Sequence, residues 1–236
     1  MNAATRYAPF AACCINSEPA ERSGQRQQIL FFRRTQYIAW DVDDDTMREG
    51  YPRDIRRDWP GLLEAFPGAT LNGALHVRAW GRTIYFQFTG EARCAVWDLN
   101  TGTLLEHRPR LSELLPGAIS ELPGLVTVYA HTQDDRPVVY GFRGTQYARW
   151  SVSDGPGHAT LDAGYPRAIR DGWPEGLTVA PDSGVFAEWV TRSEAHSNRK
   201  IYFFLGDVYL RWDVTSHTRN YRLDVPGGWQ GWPRFD

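Results

Sequence analysis

The chain lacks most of the features that usually announce a function. It has three cysteines in 236 residues, Cys13, Cys14 and Cys94. The first two are neighbours and would point to opposite faces of a strand, so no pair suggests a disulfide framework. Residues Met1 to Phe10 have neither the basic start nor the apolar run of a signal peptide, and no stretch is long and apolar enough to span a bilayer. A cytoplasmic location without membrane association is therefore expected. Lysine is nearly missing: of 26 basic residues only Lys200 is one, the rest being arginine. A net charge of −2 gives no whole-chain electrostatic case for binding nucleic acid.

Catalytic signatures are missing too. There is no GxSxG, no phosphate loop, no dinucleotide glycine fingerprint and no metalloprotease helix. The run Asp43, Asp44, Asp45 reads as a solvated turn rather than an acid/base pair. Six histidines, His76, His107, His131, His158, His196 and His217, show no paired metal spacing.

What the chain does have is repetition. Ile29 to Asp41 (ILFFRRTQYIAWD) returns as Val139 to Ser151 (VYGFRGTQYARWS) and Ile201 to Asp213 (IYFFLGDVYLRWD). It returns more weakly as Ile84 to Asp98, where Cys94 stands in for the Tyr. The marker tryptophans Trp40, Trp97, Trp150 and Trp212 lie 53 to 62 residues apart, near a quarter of the chain. Each copy reads as a β-hairpin, with Gly90, Gly144 or Gly206 in the turn and Arg34 in that place in the first copy. If the turn keeps a positive φ there, Arg34 carries a small strain. The second strand alternates. One face repeats a small or aliphatic residue, the Trp and an aliphatic residue, which is packing between neighbouring units. The other face carries Tyr37, Cys94, Tyr147 and Tyr209.

After the hairpin, Gly50-Tyr51-Pro52-Arg53 with Ile55 and Trp59-Pro60 matches Gly164-Tyr165-Pro166-Arg167 with Ile169 and Trp173-Pro174. Ile and Trp four apart share one face of a single helical turn, and the Pro closes it. Copy four keeps Tyr221, Pro226, Gly227 and Trp229; copy two keeps Leu114, Pro116 and Gly117.

A hairpin with aromatic packing followed by this GYPxxI…WP turn resembles the hemopexin repeat, and the resemblance covers the whole chain. It implies an all-β fold: a four-bladed β-propeller with short helical turns at the blade ends. The chain would be one domain, residues 1–236, with blades of approximately 1–66, 67–118, 119–180 and 181–236. Ten Trp suit such blade interfaces. A stand-alone propeller is most similar to the seed albumin-2 type. Members that circulate outside cells often tie the first blade to the last by a disulfide, and this chain has no Cys after Cys94.

In the family, the first residues of the inner strands hold Ca²⁺ or Na⁺ in the central tunnel. The matching positions are Asn72 and Asp182, which also carry side-chain oxygens of the hard type Ca²⁺ requires, and Ala8 and Pro123, which offer only carbonyls. Asn72 and Asp182 could equally cap turns. The family resemblance implies haem or a polyamine as ligand. For haem, an axial His is wanted, and His76 and His131 lie on or just after inner strands. The leading expectation is thus a non-enzymatic binding protein holding a small ligand at the tunnel or its mouth. A homodimer would supply the second propeller that serum hemopexin uses to enclose haem. Two readings of other classes stand beside it: a protein-interaction module with a flat rim patch, and a cofactor-free enzyme using an apolar tunnel for a cyclisation. Long loops, Asp154 to Thr160 and Thr191 to Arg199, are where specificity would lie, and the polar excursion Asn16 to Gln28 reads as an exposed loop.

Overall fold

The computed structural model describes residues 11–15, 27–120, 124–132, 134–173, 177–190, 197–229 and 231–233. The predicted positions Ala8 and Pro123 lie outside the described residues, as does His196.

Four antiparallel sheets follow one another along the chain. The first holds β1 (Ala11–Ile15), β2 (Gln28–Arg33), β3 (Gln36–Asp41), β4 (Thr46–Met47) and β5 (Arg53–Asp54). The second holds β6 (Leu71–Leu75), β7 (Thr83–Phe88), β8 (Ala95–Asp98) and β9 (Thr103–Leu104). The third holds β10 (Val126–His131), β11 (Pro137–Arg143), β12 (Gln146–Val152), β13 (Ala159–Leu161) and β14 (Arg167–Ala168). The fourth holds β15 (Ser183–Val190), β16 (Ser197–Leu205), β17 (Val208–Asp213) and β18 (Thr218–Asp224). Their inner strands touch in a closed ring: β1 meets β6, β6 meets β10, β10 meets β15, and β15 meets β1. The result is a four-bladed propeller, which leaves each blade only a short outer edge. Two of the predicted loops are shorter than expected. Gln28 already belongs to β2 behind a fully buried Gln27, and Arg199 is a buried residue of β16.

The hairpin turns behave as the glycines suggest. Gly90, Gly144 and Gly206 have φ of 77°, 56° and 60°, and Arg34 is held at 52° in the same place, a conformation that disfavours any residue with a Cβ. Each blade then closes with one helical turn: α1 (Ile55–Asp58), α2 (Leu111–Leu114), α3 (Ile169–Gly172) and α4 (Val225–Gly228). Asp54 and Asp224 cap α1 and α4 by accepting from Arg56 N and Gly227 N.

Both faces of each blade are packed, one against the preceding blade and one against the next. Leu30, Phe32, Tyr37, Ile55 and Trp59 of the first blade meet Ile84, Phe86, Ala95 and Trp97 of the second. Val139, Ala148 and Trp150 meet Tyr85, Cys94 and Leu115. The other pairs of blades repeat the arrangement. The Tyr face, read from sequence as the one opposite the packing face, is therefore core as well. The neighbours Cys13 and Cys14 do separate, Cys13 packing toward the second blade and Cys14 toward the fourth. All three cysteines are free and buried. Burial pushes the Cys94 thiol up to about 12, so it stays protonated and inert.

Candidate functional site

Among the described residues, the propeller axis offers little room. Where the inner strands converge, Ala12, Cys14, Leu75, Val128, Val185 and Phe186 line a channel whose free volume is about 10 Å³. That is the space of about one water molecule. A porphyrin or an organic substrate does not fit in it, and a single desolvated cation does.

The metal positions predicted from sequence fall into different situations. Asn72 lies where β6 slips register against β7, a β-bulge that turns one residue out of the ladder. Its side-chain oxygen Oδ1 is buried without a hydrogen-bond partner, which leaves a hard oxygen available to a cation. Asp182 is exposed, and its Oδ2 accepts from Gly206 N at 2.6 Å. It caps the β16–β17 turn, the alternative role for such a residue.

The two predicted histidines are both buried and lie at the ends of inner strands, but they are held differently. His76 follows β6, lines the channel, and has Nδ1 2.8 Å from the carbonyl of Thr83. With that nitrogen donating, Nε2 keeps the lone pair a metal would need. Burial holds its pKa below the usual value, outweighing the Thr83 hydrogen bond. His131 ends β10. Its Nε2 is 2.9 Å from Tyr129 Oη, its Nδ1 is 2.8 Å from Asp135 Oδ1, and its ring stacks on Phe186 at 5.8 Å. Both nitrogens are engaged, so His131 would have to give up a bond to ligate haem iron.

Around His131 the structure assembles residues that the sequence reading missed. One ligand atom each from His131, Asp135 and Glu188 lies within 4.8 Å of the others. Arg199 sits among them, donating from Nε to Glu188 Oε1 at 3.1 Å and from Nη2 to Asp135 Oδ1 at 2.8 Å. It also donates from Nη1 to the carbonyl of Thr132 at 3.1 Å. A guanidinium is thus already shared between the two carboxylates a divalent metal would need, and the cluster reads as a charge-assisted network. Gln27 binds behind it: its Oε1 accepts from Glu188 N at 3.4 Å and its Nε2 donates to Glu188 O. The legible signal was Glu188 itself, a charged residue inside the apolar run VFAEWV.

No family model matches the sequence. Among curated proteins, the chain is 23% identical over 209 residues to matrix metalloproteinase-21 of Mus musculus, an alignment covering 86% of this chain and 34% of that protein. It is 25% identical over 157 residues to vitronectin of Homo sapiens, covering 62% and 30%. The chain spans about a third of the length of these relatives. Among solved structures, a hemopexin-fold protein from cow pea superposes with a TM-score of 0.64 at 19% identity, covering 94% of this chain and 96% of that one. A 2S albumin seed protein from Dolichos gives 0.63 at 19% identity, with the same coverage. A plant lectin with two metal-binding sites from Cicer arietinum gives 0.60 at 16% identity, covering 93% and 94%. These likenesses, with the four sheets closed around one axis, show that the chain has the hemopexin fold, a four-bladed β-propeller.

Proposed function

We propose that the chain is a non-enzymatic binding protein that takes a small cationic ligand, a polyamine rather than haem, at the channel mouth formed by His131, Asp135 and Glu188. The observation that carries this reading is a cluster of carboxylates and a guanidinium around His131, which ends the inner strand β10 and stacks on Phe186 of the narrow channel wall. Asp135 presents a carboxylate to solvent there, its side chain 55% exposed and within a ligand's reach. The haem alternative draws less support, because both nitrogens of His131 are engaged and His76 is buried inside the channel wall. The enzyme reading needs a roomy apolar tunnel, and the space on the axis is too small for an organic substrate. The interaction reading needs an apolar rim, and among the described residues the exposed large hydrophobics are Val179 and Leu223. Asn72 supports a Ca²⁺ or Na⁺ ion at the other end of the channel, as does the likeness to a lectin with two metal-binding sites.

The test is calorimetric titration with spermine and spectroscopic titration with haemin on the same protein. Spermine is expected to bind at one site, more weakly in high salt, with a several-fold loss in Asp135→Asn. A stoichiometric Soret transition with haemin and no heat from spermine would replace the polyamine by haem. Binding of neither would remove the reading.

A further inference from the structure

A second cavity lies away from the axis, between the third and fourth blades, with a volume of about 360 Å³. That falls in the range of small-molecule sites, about 300–1,000 Å³. Its walls are aromatic: Tyr140 and Trp173 meet at 5.0 Å, Tyr147 and Tyr165 at 5.3 Å, and Trp212 closes the far side 5.9 Å from Trp173. Its charged groups are mostly cationic, with Arg136, Arg149 and Arg167 against Asp134. Asp162 holds Arg149 through Nε, which fixes the guanidinium plane 5.4 Å from the Tyr165 ring. Asp134 lies against Arg136 at 3.4 Å.

The repeat shows which of these features are special. Arg167 over Tyr165 is matched by Arg53 over Tyr51, at 4.6 and 4.4 Å. The unpartnered indole nitrogen of Trp173 is matched in Trp59 and Trp229. Those belong to the blade. Tyr140 and Arg149, however, stand where the first blade has Leu30 and Ala39, both buried. In the first interface Trp97 comes within 4.9 Å of Trp59 and is buried, whereas Trp212 stays partly exposed. The fourth blade repeats the pair as Tyr202 and Arg211, but there Trp232 follows Trp229 and packs beside a buried Trp40 at 6.4 Å. In the third blade the next buried residue after Trp173 among the described residues is the smaller Leu177. Large polar walls with a small filler leave the space open at this interface.

We infer that this cleft binds a small organic anion with a flat ring, an aromatic carboxylate being the simplest case. Tyr140, Trp173 and Trp212 offer ring surfaces for stacking. Arg149 and Arg167 offer guanidinium donors to the carboxylate. The cleft borders the channel mouth through Thr132, Asp134 and Arg136, but its lining includes none of His131, Asp135 and Glu188.

The probe is 1-naphthoate, with 1-naphthamide as its uncharged counterpart, titrated by calorimetry into the full chain and into Arg149→Gln. One-site binding is expected, at least ten-fold weaker for the amide and for Arg149→Gln, and unchanged in Asp135→Asn. Absence of binding to millimolar naphthoate overturns the inference. Equal binding of acid and amide, or of Arg149→Gln and the parent chain, overturns the anion preference. Should Arg149→Gln fail to fold, Trp212→Phe takes its place and must weaken naphthoate while leaving spermine binding intact.

Discussion

Two blade interfaces made from the same repeat end differently. Between the first and second blades, Leu30, Ala39 and Leu62 fill the space around Trp97, which is 3% exposed. Between the third and fourth, Tyr140 and Arg149 line a cleft and Trp212 is left partly open to it. A repeat fixes which backbone positions face each other, and the volumes at those positions decide whether the contact is core or cavity. The same residue type, the marker Trp, is thus a packing residue in one interface and a cavity wall in another.

The widest separation should appear in stability. Trp40→Ala removes a side chain that is 1% exposed and packs on Trp229 at 4.9 Å, and should cost about 3–5 kcal/mol. Trp212→Ala removes less buried surface from a place already hollow and should cost well under that. Urea denaturation of both variants decides it. Equal losses would mean that the third interface is as tightly packed as the others and that the cleft closes in solution.

A second contrast sits beneath the Tyr of the first, third and fourth blades. Tyr37 donates from Oη to Asp58 Oδ2 at 2.9 Å, whereas at the matching positions of the third and fourth blades Gly172 and Gly228 leave room for the phenols of Tyr147 and Tyr209. A Cβ on Gly172 would overlap the Tyr147 hydroxyl. Gly172→Ala should therefore cost about 1–3 kcal/mol by overpacking. Asp58→Ala only takes one hydrogen bond from the buried Tyr37 phenol, about 1 kcal/mol. If thermal melts show the alanine tolerated at 172, Tyr147 must have a second rotamer and the blades are less alike than their sequences.

These contrasts also show what the sequence could convey. The propeller was legible because its markers, the Trp, the Tyr and the Ile–Trp helical turn, are the packing residues themselves, and packing repeats with the blade. The histidine positions at the strand ends were legible for the same reason. The network around His131 was not, because it joins Gln27 to Glu188 across 161 residues and no local spacing records such a contact. Asp182 carried an oxygen of the right type, but that oxygen is bound to Gly206 N. The cleft was written in the departures from the repeat, Tyr140 for Leu30 and Arg149 for Ala39, and a departure becomes a cavity only once the opposing blade is known.

The smallest effect expected is one of pH, and it tests the channel wall against the open mouth. Burial lowers the folded-state pKa of His76, while in the unfolded chain it returns to about 6.5. Below that pH the unfolded state binds a proton that the folded state refuses. Stability is then fully present above about pH 6.5 and falls as the pH drops, by at most about 1.4 kcal/mol per pH unit from this group. His76→Gln should flatten this slope between pH 6.5 and 5.5 in urea titrations, because a neutral side chain can keep a hydrogen bond to the Thr83 carbonyl without titrating. An unchanged slope would mean that His76 takes up its proton in place, with water reaching the channel wall. The bore would then be a hydrated passage and no longer the narrow boundary that confines a ligand to the mouth.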